Sequence, residues 1–176
     1  MKSPRFLYPA WRCIAAAYAA GLTAAHAGQI KKLDQAGAVV KFCDPEYIIN
    51  CKAITRRRRR QEPYLTNLTA TTLQPFYNNV TIVVSFNPEK YGDMFTLKIK
   101  MCDMIKVKWL EQYLSKYSDV PITCPVPAGS YNIFNMEFPP KNFPMPLPNE
   151  DINLRLLMEV TETKHLISHC EIKLHS

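Results

Sequence analysis

The chain of 176 residues holds only five glycines, and none of them builds a Gly-rich phosphate loop. The patterns that mark an activated serine or a catalytic zinc, GxSxG and HExxH, are missing. No two cysteines are spaced as CxxC, so metal-ribbon and thioredoxin readings have no support. No apolar run reaches the roughly 20 residues that a helix needs to cross a bilayer. There is no internal repeat, and one charge run stands alone. Acids are scattered as Asp93, Asp103, Asp119, Glu137, Glu150 and Asp151, and no nucleophile–base set can be named, so enzymatic chemistry is not expected. Nor is a metal or cofactor. His165 and His169 are four apart on an extended segment, about 13 Å at about 3.3 Å per residue, too far to share an ion.

What is present begins at the N-terminus. Lys2, Arg5 and Arg12 lead without an acid, an apolar run follows from Cys13 to Ala25, and Ala25-His26-Ala27 forms a small-x-small site before Gly28. That order is a secretory signal peptide. The sequence thus predicts residues 1–27 as the signal and 28–176 as one secreted, extracellular domain, long enough to bury a core. Loss of the signal's three basic residues takes the net charge from +7 to +4. The run Arg56, Arg57, Arg58, Arg59 and Arg60 accounts for all of the excess, since without it the charge is −1. Five cysteines remain: Cys43, Cys51, Cys102, Cys124 and Cys170. In an oxidising compartment they read as two disulfides and a spare thiol. Two sequons, Asn67-Leu68-Thr69 and Asn79-Val80-Thr81, agree with secretion and make Asn67 and Asn79 candidate glycosylation sites.

Period-2 alternation dominates residues 28–176. It is clearest from Ile152 to Val160 and from Leu166 to Leu174, with Glu162-Thr163 suited to a tight hairpin between them. Val80–Phe86, Phe95–Met101, Tyr131–Phe138 and Tyr47–Ile54 read as further strands, and Thr66–Leu73 as a weaker one. Asp103 to Tyr117 breaks the pattern: Ile105, Trp109, Leu110, Tyr113, Leu114 and Tyr117 fall at helical spacing, with Asp103 placed to cap an amphipathic helix. "PPKNFPMPLP", residues 139–148, is too proline-rich for a central strand and unusually apolar for a loop. About seven short strands with one helix predict an all-β sandwich. Such a sandwich either closes on its own side chains or leaves a gap for an apolar ligand. Alternation fits both.

The C-terminal third offers more. The Cys124-Pro125 step, Gly129-Ser130-Tyr131, the Pro-rich loop, a hairpin and the ending His169-Cys170-Glu171-Ile172-Lys173 resemble the ML lipid-recognition superfamily, in particular the ganglioside activator. "KFCDPEYIINCKAITR" and "MFTLKIKMCDMIK" resemble its arthropod branch, which includes the chemosensory CheB proteins. The resemblance implies an immunoglobulin-like sandwich of about seven strands with a lipid cavity between its sheets, and binding rather than chemistry. On that reading the cavity candidates are Phe86, Phe95, Leu97, Trp109, Ile133, Phe134, Phe138, Leu154, Leu156 and Met158, with Phe143, Met145 and Leu147 at the mouth. It also implies Cys102–Cys124 and Cys43–Cys170 as the disulfides; arthropod relatives suggest Cys43–Cys51 instead, with Cys170 spare.

Three functions compete. The first is a secreted carrier of a lipid or other hydrophobic small molecule, in a chemosensory, semiochemical or lipid-carrying role. The second is a lipid-dependent co-receptor or activator acting through a protein partner or at a membrane surface. The third is a convertase-processed secreted signalling protein, motivated by Arg56–Arg60. A secreted chain with no wider basic face is not expected to bind nucleic acid. The arginines cannot continue the preceding strand inward, because burying unpaired guanidinium groups costs several kcal/mol each. They read as a solvated connection that either touches anionic groups or is cleaved after Arg60.

Overall fold

Side chains that alternate between a dry and a wet environment fold as paired strands. The computed structural model describes residues 33–89, 92, 94–139 and 147–176, and those residues contain eight strands. They are β1 (Asp34–Cys43), β2 (Ile48–Arg56), β3 (Leu65–Thr72), β4 (Val80–Pro88), β5 (Phe95–Lys100), β6 (Gly129–Met136), β7 (Ile152–Val160) and β8 (Leu166–His175). All pairings are antiparallel, in a five-stranded sheet β1-β8-β7-β4-β5 and a three-stranded sheet β2-β3-β6. The described residues form an all-β sandwich with one short α-helix. The signal segment 1–27 and the candidates Phe143 and Met145 lie outside the described residues.

The seven runs found by alternation are β2 to β8. β1 escaped because its pairing with β8 slips between Gln35 and Gly37 and again between Val40 and Phe42, and each slip interrupts the period of two. Along β4 and β7 the register sets Phe86 opposite Leu154, Val84 opposite Leu156, Ile82 opposite Met158 and Val80 opposite Val160, an apolar ladder on one face. The β7–β8 hairpin turns at Thr161–Thr163 as expected, and Lys164 absorbs the reversal at φ 59°, a conformation uncommon outside glycine.

β1 passes into β2 through a turn built on Asp44. Its carbonyl accepts the N–H groups of Tyr47 and Ile48 at 3.1 and 2.9 Å. Its carboxylate accepts the Glu46 N–H at 2.9 Å and pairs with His165 from the β7–β8 turn. This connection closes one side of the sandwich. On the other side the edge strands β5 and β6 are joined through helical chain. A 3-10 stretch, Met101–Lys106, is followed by α1 (Lys108–Tyr117), which contacts both that stretch and β6.

The helix differs from expectation. It starts at Lys108, after an extended Val107, and Asp103 does not cap it; Asp103 instead holds Lys106 Nζ at 2.6 Å within the 3-10 stretch. The reason is the anchoring of Cys102, whose N–H donates to Asn78 Oδ1 at 3.0 Å and whose sulfur is bonded to Cys124. The chain is pinned there and enters the α-helix only once it is clear of that point.

Two clusters of buried side chains fill the ends of the sandwich. One centres on Phe86, Met136, Phe138, Ile152, Leu154, Ile172 and Leu174, and the other on Ile48, Phe76, Val80, Met101, Met104, Val126 and Ile167.

Candidate functional site: an apolar cavity between the sheets

Between the two clusters the interior is not filled. On β4 the outward Thr81, Val83 and Ser85 are buried by their neighbours, whereas the inward Ile82 and Val84 are only half-buried. Leu97, Leu156, Met158, Tyr131 and Ile133, which also face inward, are half-buried too. Inward side chains that keep contact with solvent-sized space border a void, and here the void measures about 320 Å³.

Its walls come from both sheets. Ile82, Val84 and Phe86 of β4, Leu97 of β5, Leu154, Leu156 and Met158 of β7, and Cys170 and Ile172 of β8 form one side. Leu68 and Ala70 of β3, with Tyr131, Ile133 and Met136 of β6, form the other. The open flank between β5 and β6 is covered by α1, which turns Trp109, Leu110, Tyr113 and Leu114 toward the void. No residue of α1 is fully buried; the helix roofs the space while Tyr113 packs against one cluster and Leu110 and Leu114 against the other.

Of the residues expected to line a cavity, eight do so: Phe86, Leu97, Trp109, Ile133, Phe138, Leu154, Leu156 and Met158. Three described candidates do not. Phe95 packs its ring 5.8 Å from Phe86, within the end cluster beyond the void. Leu147 also packs against that cluster. Phe134 lies on the outer face and is 48% exposed. Thr66 pairs with Met136 and Leu68 with Ile133, so two β6 residues oppose Asn67 and the alternation shifts at Asn135, which sits at φ 48°. The sequence reading passed over Ala70, Leu68 and the helix residues Leu110, Tyr113 and Leu114. The helix spacing had marked the last three as one face, but no local signal says what that face covers.

All three cysteines whose pairing was open lie around the void. The structure joins Cys43 to Cys51 and Cys102 to Cys124, leaving Cys170 free. The expected Cys43–Cys170 bond is therefore corrected. The β1–β8 register sets Cys43 opposite Ser168 and Cys170 opposite Val40, so the two sulfurs are displaced along the strands, while the Asp44 turn folds Cys51 back toward Cys43.

Little of the wall surface is polar, and both wall tyrosines are hydrogen-bonded. Tyr113 donates its hydroxyl to the Glu137 carbonyl at 3.2 Å, and burial holds the phenol well above its ordinary range. Tyr131 donates to the Pro127 carbonyl at 2.7 Å. Burial, with Glu171 adding to it, pushes the Cys170 thiol up to about 11, so at neutral pH it is protonated and unreactive. His165, His169 and His175 each face a different carboxylate, those of Asp44, Glu171 and Asp151. Among the described residues no group of three His, Cys, Asp or Glu is placed to hold a metal ion, and no helix is long and apolar enough to cross a membrane.

The arginine run lies away from these walls. Arg56 ends β2 with its side chain outward, and Arg57, Arg58, Arg59 and Arg60 form an exposed loop that bends at Arg58 and Arg59. No guanidinium is carried into the interior, so the run is a solvated connection between β2 and β3. Arg57 Nη1 donates to the Arg60 carbonyl at 3.0 Å and its guanidinium stacks on Tyr64 at 4.9 Å, while Arg59 lies 3.9 Å from Glu62.

Fold and site together define a disulfide-bonded β-sandwich with an apolar chamber under a helical roof. Residues 78–154, from just before β4 into β7, match a family model described as a protein of unknown function, DUF1091. No curated protein matches the chain.

Proposed function

We propose that the protein is a secreted, non-enzymatic binder that holds a lipid or other hydrophobic small molecule between its two sheets. The observation that carries this reading is the void of about 320 Å³ whose walls are almost wholly side-chain hydrocarbon. Leaving such a space empty forfeits dispersion contacts, and a chain of methylenes restores them. Transfer from water adds about 0.8 kcal/mol per methylene, so a twelve-carbon chain gains several kcal/mol before ordering costs are subtracted. The wall tyrosines, already satisfied by backbone carbonyls, impose little on the chemistry of the tail. The ML-type, arthropod chemosensory resemblance of the sequence supports the same role. Two disulfides fit an oxidising compartment.

Residues 28–176 contain one tryptophan, Trp109, and it faces the void. Titration of the purified protein with fatty acids, monitored by Trp109 emission, should give a saturable shift, and solvent extraction followed by mass spectrometry should release an apolar compound. A protein that neither responds nor releases anything apolar would overturn the reading.

A further inference from the structure

The outer face of the three-stranded sheet carries an unexplained apolar pair. Ile54 is 54% exposed and Phe134 is 48% exposed. They belong to different strands, β2 and β6, and the strand between them is β3. The β2–β3 register sets Ile54 directly opposite Asn67, and at the β3–β6 slip Phe134 and Asn135 oppose the same residue. Asn67 thus stands between the two exposed apolar side chains, and it is the acceptor position of the sequon Asn67-Leu68-Thr69. Its Oδ1 accepts the Asn135 N–H at 2.7 Å. That bond fixes the amide plane, and among the described residues Nδ2 makes no hydrogen bond.

We propose that Asn67 carries an N-linked glycan whose first sugar lies over Phe134 and Ile54, making this face a glycan-covered surface. The inference rests on the secretory part of the function proposed above and is independent of the cavity. In the attachment step, Nδ2 forms a bond to C1 of the first N-acetylhexosamine of a polyprenyl-diphosphate-linked oligosaccharide. The C1–O bond to the diphosphate breaks, and the amide proton leaves with the departing diphosphate. The electron-rich face of an aromatic ring attracts the partly positive C–H groups on the flat side of a sugar, as it attracts the edge of another ring. Phe134 offers such a face, and Ile54 extends the apolar seat on the far side of the acceptor. Asn79, the second sequon, lies on a connection outside this sheet face.

The test is to express the full chain in a eukaryotic secretory host. An amidase that converts glycosylated Asn to Asp is applied to the secreted protein, and the converted positions are located by peptide mass mapping. Conversion at Asn67 is expected. Phe134→Ser, an outward position, should lower the unfolding midpoint by about 2–4 °C in glycosylated protein and by clearly less in the Asn67→Gln background; Ile54→Ser should repeat the pattern more weakly. A secreted protein with its leader removed and Asn67 unmodified overturns the proposal. So does a modified Asn67 whose effect is additive with that of Phe134→Ser. A chain that keeps its leader and carries no glycan overturns the secretory reading itself, and this proposal with it.

Discussion

Thr66 donates its hydroxyl to Gln35 Oε1 at 2.6 Å, in a position from which water is excluded. Gln35 belongs to the five-stranded sheet and Thr66 to the three-stranded one. Gln35 Nε2 reaches the Met136 carbonyl at 3.0 Å, and Thr55 Oγ1 meets Thr66 Oγ1 at 2.8 Å. Since the Thr66 proton goes to Gln35, Thr55 must be the donor in that last contact. The chain is a polar clasp across one end of the sandwich, beside the covalent link that Cys43–Cys51 makes between β1 and β2.

Breaking the clasp from one side should be costly. Gln35→Leu strands the Thr66 hydroxyl and removes the donor to Met136, and each buried unmet group costs about 1–3 kcal/mol. Denaturant unfolding of Gln35→Leu should show that loss, and Gln35→Leu with Thr66→Val should fall short of the sum of the single effects, because the second change removes a group already orphaned. Additive losses would mean that the two side chains do not act as a unit.

Much of this was legible in the sequence, and the limits have physical causes. Strands β2 to β8 announced themselves because one face is dry and the other wet. β1 did not, because its bulges at Ala36 and Lys41 change which residues face inward. Leu154, Leu156 and Met158 could be named as inward, yet inward side chains make either a core or a chamber, and the difference lies in the spacing of two sheets that no local pattern encodes. Phe134 illustrates the opposite error. The resemblance to a lipid-cavity family placed it among the cavity candidates, but a one-residue slip opposite Asn67 leaves it on the outside. Cys102–Cys124 is paired as expected, and so is Cys43–Cys51, the alternative the arthropod relatives suggested; the Cys43–Cys170 expectation failed because those two belong to adjacent strands, and only the register shows that they are out of step.

The disulfide correction changes what cleavage at the arginine loop would do. Cys43 and Cys51 both precede Arg60, so their bond lies within the N-terminal piece. After cleavage at Arg60 that piece would be held by noncovalent contacts alone, among them β1–β8 and β2–β3 pairing and the Gln35 and Asp44 hydrogen bonds. Trypsin at a limiting dose should cut first in the exposed Arg56–Arg60 segment, with Arg58 and its neighbours the earliest sites found by mass mapping. The two pieces should remain together on native gel filtration and separate on a denaturing gel without reductant. If they separate only when reductant is added, Cys43 or Cys51 is bonded across the cut.

Cys170 gives a handle on pH. Its folded thiol titrates near 11 against an ordinary 9.0. A raised folded value means that the native state holds the proton more tightly than the unfolded chain. The contribution is fully present below about 9 and is lost as pH rises through 11. Stability of the natural chain minus that of Cys170→Ala should therefore be flat at neutral pH and fall over this window. At pH 7.5 the thiol should label slowly with maleimide, and more slowly still when a fatty acid is bound, since Cys170 borders the void. Fast labelling that ignores ligand would place the thiol outside the chamber.

The chamber itself is most directly tested by filling it. Ala70 on β3 faces the void from the smaller sheet. In a packed core, enlarging an alanine to phenylalanine costs about 1–3 kcal/mol through strain. Here the new ring enters existing space and gains contacts, so Ala70→Phe should leave the unfolding midpoint unchanged or raise it. The same ring occupies volume that the ligand needs, and uptake should fall by about tenfold or more, which corresponds to roughly 1.4 kcal/mol of lost binding. Lys98→Ala, on the outer face of β5, should change neither quantity. The two readouts move in opposite directions only if the void is real and is also the binding site. A core that is already full predicts a less stable variant, whereas a void unrelated to the ligand predicts stabilised protein that binds as before.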